Sequence, residues 1–191
     1  MNQMAVPSRE TAWHLLNRYT KNPNLIKHAL AVEAVMQALA RHYGEDPASF
    51  GLVGLLHDFD YESYPEIGQH TIAGAAILRE AGFSETIVRA VQSHVTENGI
   101  ARTSLLEKAI YAVDELTGFV VAVTLVRPQQ SLSQVTAASV KKKLKDKSFA
   151  RTVNRADVTS GAEGLGMDLD TLIEFVIESL KPHAESLGIH P

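Results

Sequence analysis

Residues 119–126 read FVVAVTLV, and whether this stretch is helix or strand decides the fold class. Four valines and a threonine among eight residues suit a buried strand, because β-branched side chains pack well on a pleated surface. A strand needs a partner, however, and no neighbouring segment alternates in a way that would pair with it. Upstream, Ser104 and Glu107 form the S-x-x-E pattern of a capping box. Downstream, Pro128 bars continuation past Arg127. One long helix from the Ser104 cap to Arg127 satisfies both signals, and the chain reads as all-α.

Outward from that helix the same grammar repeats. Asn22 caps a helix with Pro23 in its first turn, and Leu25, Ala29, Val32, Met36 and Leu39 recur at spacings of three and four before Gly44 stops it. A second helix starts at Asp46-Pro47 and runs into LLHD, residues 55–58. A third follows Pro65, with Ile67, Ala73, Gly74 and Ile77 on one side, and ends at Gly82. Ser84 opens a fourth, striped by Ile87, Val91 and Val95. After the long helix, shorter ones are expected near 135–144 and 151–163. The last begins at the Asp168 cap and carries Leu169, Leu172, Ile173, Val176 and Leu180.

Composition narrows the function classes. The chain has 191 residues, 45% apolar and 21% charged, as expected of one globular domain with a real core. A net charge of -4 gives no reason to expect nucleic acid or an anionic membrane as a partner. There is no cysteine, so any metal must be held by His, Asp or Glu. The start, MNQMAVPSRE, lacks the pattern of a signal peptide, and a cytoplasmic location is expected. The longest apolar run, residues 119–123, is far too short to span a bilayer.

Several helices carry a polar group where an apolar one belongs. His28 lies beside the Val32 stripe, His70 near Ala73 and Gly74, His94 three residues after Val91, and Asp114 next to Val113. His57 and Asp58 close the apolar run of the second helix together. Any one of these is ordinarily a hydrogen-bonded core residue. An unpaired buried carboxylate is costly, though, and one shared cation accounts for all six. Imidazole plus carboxylate suits a divalent ion such as Zn, Fe, Mn, Ni, Co or Mg.

The order His28, His57-Asp58, Asp114 resembles the H…HD…D pattern of the HD superfamily of metal-dependent phosphohydrolases. LLHD precedes the dipeptide and AVDELTG surrounds the aspartate, and the likeness covers roughly residues 20–127. The resemblance implies a single HD-type helical domain over 1–191, with additional C-terminal helices over about 128–191. It implies that His28, His57, Asp58 and Asp114 ligate one ion. The segments GQHTIAGA and VQSH, which hold His70 and His94, resemble the extra ligands of binuclear members, in which Asp58 bridges both ions. The GYP element of the cyclic-dinucleotide phosphodiesterase branch is missing.

The expected activity is hydrolysis of a phosphoester, of a nucleotide or small phosphorylated metabolite, by a water whose pKa a bound metal lowers from 15.7 to about 7. His57, Asp58 and Asp60 are the expected catalytic residues, with Asp60 orienting a ligand or accepting a proton. Positive charge for the phosphoryl oxygens is sought in SVKKKLKDKSFARTVNR, with Lys142, Lys145 and Arg155 as phosphate contacts and Arg127 beside them. The alternatives are a di-iron oxygenase with the same six ligands and a metal-stabilised binding domain without catalysis. Oligomeric state is not legible.

Overall fold

The computed structural model describes residues 7–66 and 68–191. Among these, α-helices and three short 3₁₀ turns account for the regular structure and no strand forms. The order is α1 (Arg9–Tyr19), α2 (Pro23–Tyr43), α3 (Pro47–Leu56), α4 (Ile72–Glu80), α5 (Glu85–Ser93) and α6 (Leu105–Leu125). Then come α7 (Ala137–Leu144), α8 (Arg155–Leu165), α9 (Leu169–Leu180) and the short α10 (Ala184–Leu187). All ten feed one continuous apolar core.

The stretch FVVAVTLV is helical. It forms the last two turns of α6, which ends at Leu125, two residues short of the expected Arg127. Phe119, Val120 and Val123 are fully buried there, so the β-branched residues serve helix–helix packing. The Ser104–Glu107 capping box is present in both directions. Asn22, Asp46, Ser84 and Asp168 each cap the helix expected of them.

α2 and α6, 21 residues each, form the central pair, and α3 packs lengthwise on α2. That contact requires glycine. A β-carbon at Gly54 would lie 2.8 Å from Glu33 Cα, so the backbones of α2 and α3 touch directly. α8 closes on α6 in the same way, since a β-carbon at Gly161 would lie 2.6 Å from Ala112 Cα.

Three helix starts differ from expectation. The helix after Pro65 begins only at Ile72, because residues 68–71 form turns and Thr71 takes a left-handed conformation (φ 61°). Ile67, expected on that helix, lies outside the described residues. α7 begins at Ala137 behind the Thr136 cap, and α8 at Arg155 behind the Asn154 cap. α1 was not expected at all. Its stripe is short, only Ala12 and Leu16 being fully buried, while Trp13, Leu15 and Tyr19 pack at the edge of the core. At the far end, Leu132 N–H donates to His190 O (2.9 Å) and His190 N–H to Gln130 O (2.8 Å), which ties the C-terminal segment beside the loop after α6.

Candidate metal centre

α3 ends at Leu56, so His57 and Asp58 emerge at a helix terminus where two adjacent side chains can reach one point. The His57 ring is fully buried, and its Nδ1–H donates to Gly54 O at 2.8 Å. That bond directs the Nε2 lone pair inward. His94, at the C-terminus of α5, is held the same way, with Nδ1–H donating to Val91 O at 2.6 Å. His70 donates Nδ1–H to Asp60 Oδ1 at 2.9 Å. Three imidazoles from three segments therefore present a prepared Nε2.

These atoms converge in two groups. In the first, His28 Nε2 lies 2.9 Å from Asp114 Oδ1 and 3.2 Å from His57 Nε2, while His57 Nε2 lies 3.2 Å from Asp114 Oδ1 and 3.5 Å from Asp58 Oδ2. In the second, Asp58 Oδ1 lies 3.1 Å from His70 Nε2 and 3.2 Å from His94 Nε2. Donor atoms within each group lie within 4.8 Å of one another. Asp58 thus turns one oxygen to each group.

The donor set fits a divalent cation. Donors bound at about 2.0–2.2 Å to one ion sit roughly 3–3.5 Å from their neighbours, close to the spacings here. The His28–His57 contact is the sharper test. His57 spends its N–H on Gly54 O, so two ring nitrogens face each other at 3.2 Å and need a cation or a shared proton between them.

The charges on the bare ligands carry the same message. Burial disfavours charge on His57, yet Asp58 and Asp114 raise its pKa well above the usual value. Burial also opposes the charge on both carboxylates, but His57 and the neighbouring imidazoles hold Asp58 and Asp114 below the ordinary range. His70 rises to about 9, burial being outweighed by its bonds to Asp58 and Asp60. Protons hold this cluster together when no metal does, and a divalent ion would displace them.

Asp60 is fully buried and supports the site from behind. Its Oδ1 accepts from His70, while Oδ2 accepts from Thr71 N–H (2.8 Å) and Gly74 N–H (2.9 Å). It caps α4 from a distance, which explains how that helix starts without a side-chain cap of its own. Both Asp60 oxygens are thus occupied, one by the His70 ring and the other by two backbone donors.

The centre opens on a cleft of about 630 Å³, lined by His28, Asp58, His70, His94 and Asp114 together with Tyr61, Tyr111, Glu115, Asn154 and Asp157 among others. No lysine or arginine lines it among the described residues. The structure does not bring the four expected phosphate contacts there. Arg155 turns its guanidinium back onto the loop before α8, donating to Ala150 O (2.7 Å), Val153 O (2.6 Å) and Phe149 O, and lies over the Phe119 ring. Lys142 and Lys145 are exposed on and just after α7, away from the cleft, and Arg127 follows the end of α6. Elsewhere in the basic run, Lys141 pairs with Asp170 and Lys143 with Asp146.

Sequence reasoning missed the polar wall. Tyr111 sits three residues before Asp114, and Gly118 and Ala122 four and eight after it, so helical spacing alone could have flagged that face. Asn154 and Asp157 had no local signal, since α8 reaches the cleft only through its close packing on α6. Tyr111 O–H donates to Asp157 Oδ1 at 2.9 Å. Burial and the neighbouring Asp114 push Glu115 up to about 7.

The HD domain family profile matches residues 25–161. The chain belongs to the HD domain family. The match runs past residue 127 through α7 and into α8, and so includes Asn154 and Asp157 of the cleft wall. HD domains bind divalent metals and are in general hydrolases. Among curated relatives, ribonuclease Y of Lawsonia intracellularis is 30% identical over 89 residues, 46% of this chain and 17% of that protein. A tRNA (cytidine(56)-2'-O)-methyltransferase of Thermoplasma volcanium is 29% identical over 90 residues, 47% of this chain and 26% of that protein. An uncharacterised protein of Methanocaldococcus jannaschii is 33% identical over 98 residues, 49% of this chain and 57% of that protein. This HD-domain chain therefore spans between about a sixth and somewhat over half of the length of these relatives. No solved structure gives a significant match. No helix among the described residues is long and apolar enough to cross a membrane.

Proposed function

We propose that this HD-domain protein is a metal-dependent phosphohydrolase that cleaves a phosphoester at the mouth of the six-residue centre. The observation that carries this reading is the position of Asp58. One of its oxygens faces His28, His57 and Asp114, the other faces His70 and His94, and the whole arrangement opens on a cleft large enough for a small organic substrate. His28, His57, Asp58 and Asp114 would hold one divalent ion, and Asp58, His70 and His94 a second.

A metal held by these residues would supply positive charge for the phosphoryl oxygens and lower the pKa of a bound water toward neutrality. The protein contributes orientation. Gly54 O, Val91 O and Asp60 fix three imidazoles in one tautomer, so the donors need no rearrangement to act. In the overall reaction water adds to phosphorus, the ester P–O bond breaks, and the alcohol leaves with a proton. Tyr111, Glu115, Asn154 and Asp157 provide the polar wall that meets the rest of the substrate.

A second reading, oxidation by O₂ at a di-iron centre, draws on the same six donors and is separated by metal identity. The test is metal analysis of the protein as purified. It is followed by a screen of phosphoesters and nucleotides with Mn²⁺, Co²⁺, Ni²⁺, Fe²⁺ and Mg²⁺. Metal-dependent phosphate release is expected. Inertness toward the whole panel, with two irons bound and a mixed-valence paramagnetic signal, would give the site to the oxygenase reading instead.

A further inference from the structure

A second hollow of about 350 Å³ adjoins the cleft, and His28, Gly118 and Ala122 line both. Gly118 and Ala122 continue the Asp114 face of α6 by one and two turns, so a shallow floor leads away from the centre under the His28 ring. A β-carbon at position 118 would already be in van der Waals contact with that ring, 3.5 Å from His28 Cε1, so a larger side chain would occupy the seam. The absence of one keeps the seam low.

The hollow differs in chemistry from the cleft. Ala31, Val121, Leu125 and Leu187 give it apolar walls, and Asn24 and Lys27 supply its polar side chains. Leu125, 45% exposed, stands at the open side of this hollow. The reacting cleft, by contrast, is lined by Glu97, Glu115 and Asp157 besides the ligand carboxylates, and by no lysine or arginine among the described residues. Bound ions would compensate the ligand carboxylates, but further phosphates would meet Glu97 and Asp157 with Arg102, stacked on Tyr111, as the neighbouring cation. A substrate with a single phosphoryl group on the ions and an apolar remainder avoids that repulsion, provided the remainder leaves over Gly118.

We propose that the groove between α2, α6 and α10 binds the non-reacting part of the substrate, and that this part is an apolar chain or ring bearing one phosphoryl group. The proposal rests on the phosphohydrolase reading for the phosphoryl end. The occupant is argued from the continuity of the groove with the cleft through three shared residues and from the charge of the cleft. The C-terminal helix thereby enters the substrate site through Leu187.

The test uses n-alkylphosphonates, which carry the phosphoryl group but cannot be hydrolysed. Binding of methyl- through hexylphosphonate to the Mn²⁺-loaded protein is measured by calorimetry, and turnover of p-nitrophenyl phosphate is followed in parallel. Affinity is expected to rise about fourfold per methylene while the chain runs along the groove. In Leu125→Glu, at a position exposed enough to tolerate charge, the series flattens while metal content stays at two ions. Val121→Asp, deeper in the groove and checked for folding by circular dichroism, flattens it further. A flat series in the unmodified protein, or an undiminished slope in both variants, overturns the proposal even if p-nitrophenyl phosphate is turned over. A flat series in a dimer that Leu125→Glu converts to monomer also overturns it and gives the groove to a second copy of the chain. A clear slope with no hydrolysis of any phosphoester supports the groove and sinks the hydrolase reading alone.

Discussion

Replacing Asp60 by asparagine changes one atom at a residue that touches no cleft, and its effect can be worked out from three hydrogen bonds. Oδ2 of Asp60 accepts from Thr71 and Gly74 N–H at 2.8 and 2.9 Å, and Oδ1 accepts from His70 Nδ1 at 2.9 Å. Asparagine has one oxygen, and two backbone donors claim it. The NH₂ group must then face His70, and only a ring without hydrogen at Nδ1 can accept from it. The proton of neutral His70 moves to Nε2, the atom that points at Asp58 Oδ1. A protonated Nε2 cannot ligate. Restoring the ligating tautomer sets two donors against each other, and losses of this kind amount to about 10–100-fold in metal affinity, or about 1.4–2.7 kcal/mol. Calorimetric titration of the metal-free variant with Mn²⁺ should show one site weakened by that factor. The site of His28, His57, Asp58 and Asp114 should keep its affinity. Both backbone donors stay satisfied, so α4 keeps its start, but in EDTA the unfolding midpoint at neutral pH should fall, because charged His70 loses its Asp60 partner. Two sites of undiminished affinity in Asp60→Asn would refute the argument.

Four other outcomes follow from the same geometry. His94→Ala should reduce bound metal to about half, whereas Asp58→Ala, which removes a donor from both groups, should leave the protein without metal; elemental analysis reads both. In EDTA, stability should fall as pH rises from 6.5 to about 9. The folded pKa of His70 is raised, so the stability from its charged form is complete below 6.5 and is lost as pH passes through about 9. With Mn²⁺ present the added stability should grow over the same window, because binding needs the neutral ring; a flat melting temperature in EDTA contradicts this. Arg155→Ala should destabilise by about 1.5–3 kcal/mol in urea unfolding, since a charged donor leaves several carbonyls. Lys142→Ala and Lys145→Ala should leave KM within about twofold, and a tenfold rise in KM for either would return the basic run to the substrate site.

Much of this was legible before any coordinates. Caps at Asn22, Asp46, Ser84, Ser104 and Asp168 are local events, decided within three residues, and each stands where its side chain predicts. The inward polar residues were legible because a histidine or aspartate on an apolar stripe conflicts with its surroundings unless something nonlocal resolves the conflict. Failures occurred where the deciding contact is distant. The start of α4 depends on Asp60, more than ten residues upstream, and no spacing rule reports that. The lysine and arginine run looked like a phosphate site because charge is visible in sequence, whereas the direction of a side chain is not. Arg155 faces the carbonyls of its own loop, and the cleft wall comes instead from Tyr111, Asn154 and Asp157, brought together by the α6–α8 contact at Gly161.

The most direct measurement is a crystal structure of the Mn²⁺-loaded protein with diffraction collected at the manganese edge. Two anomalous peaks are predicted, one bonded to His28, His57, Asp58 and Asp114 and the other to Asp58, His70 and His94, with Asp58 shared. Anomalous density elsewhere in the molecule, or none while these six side chains remain gathered around water, would contradict the account.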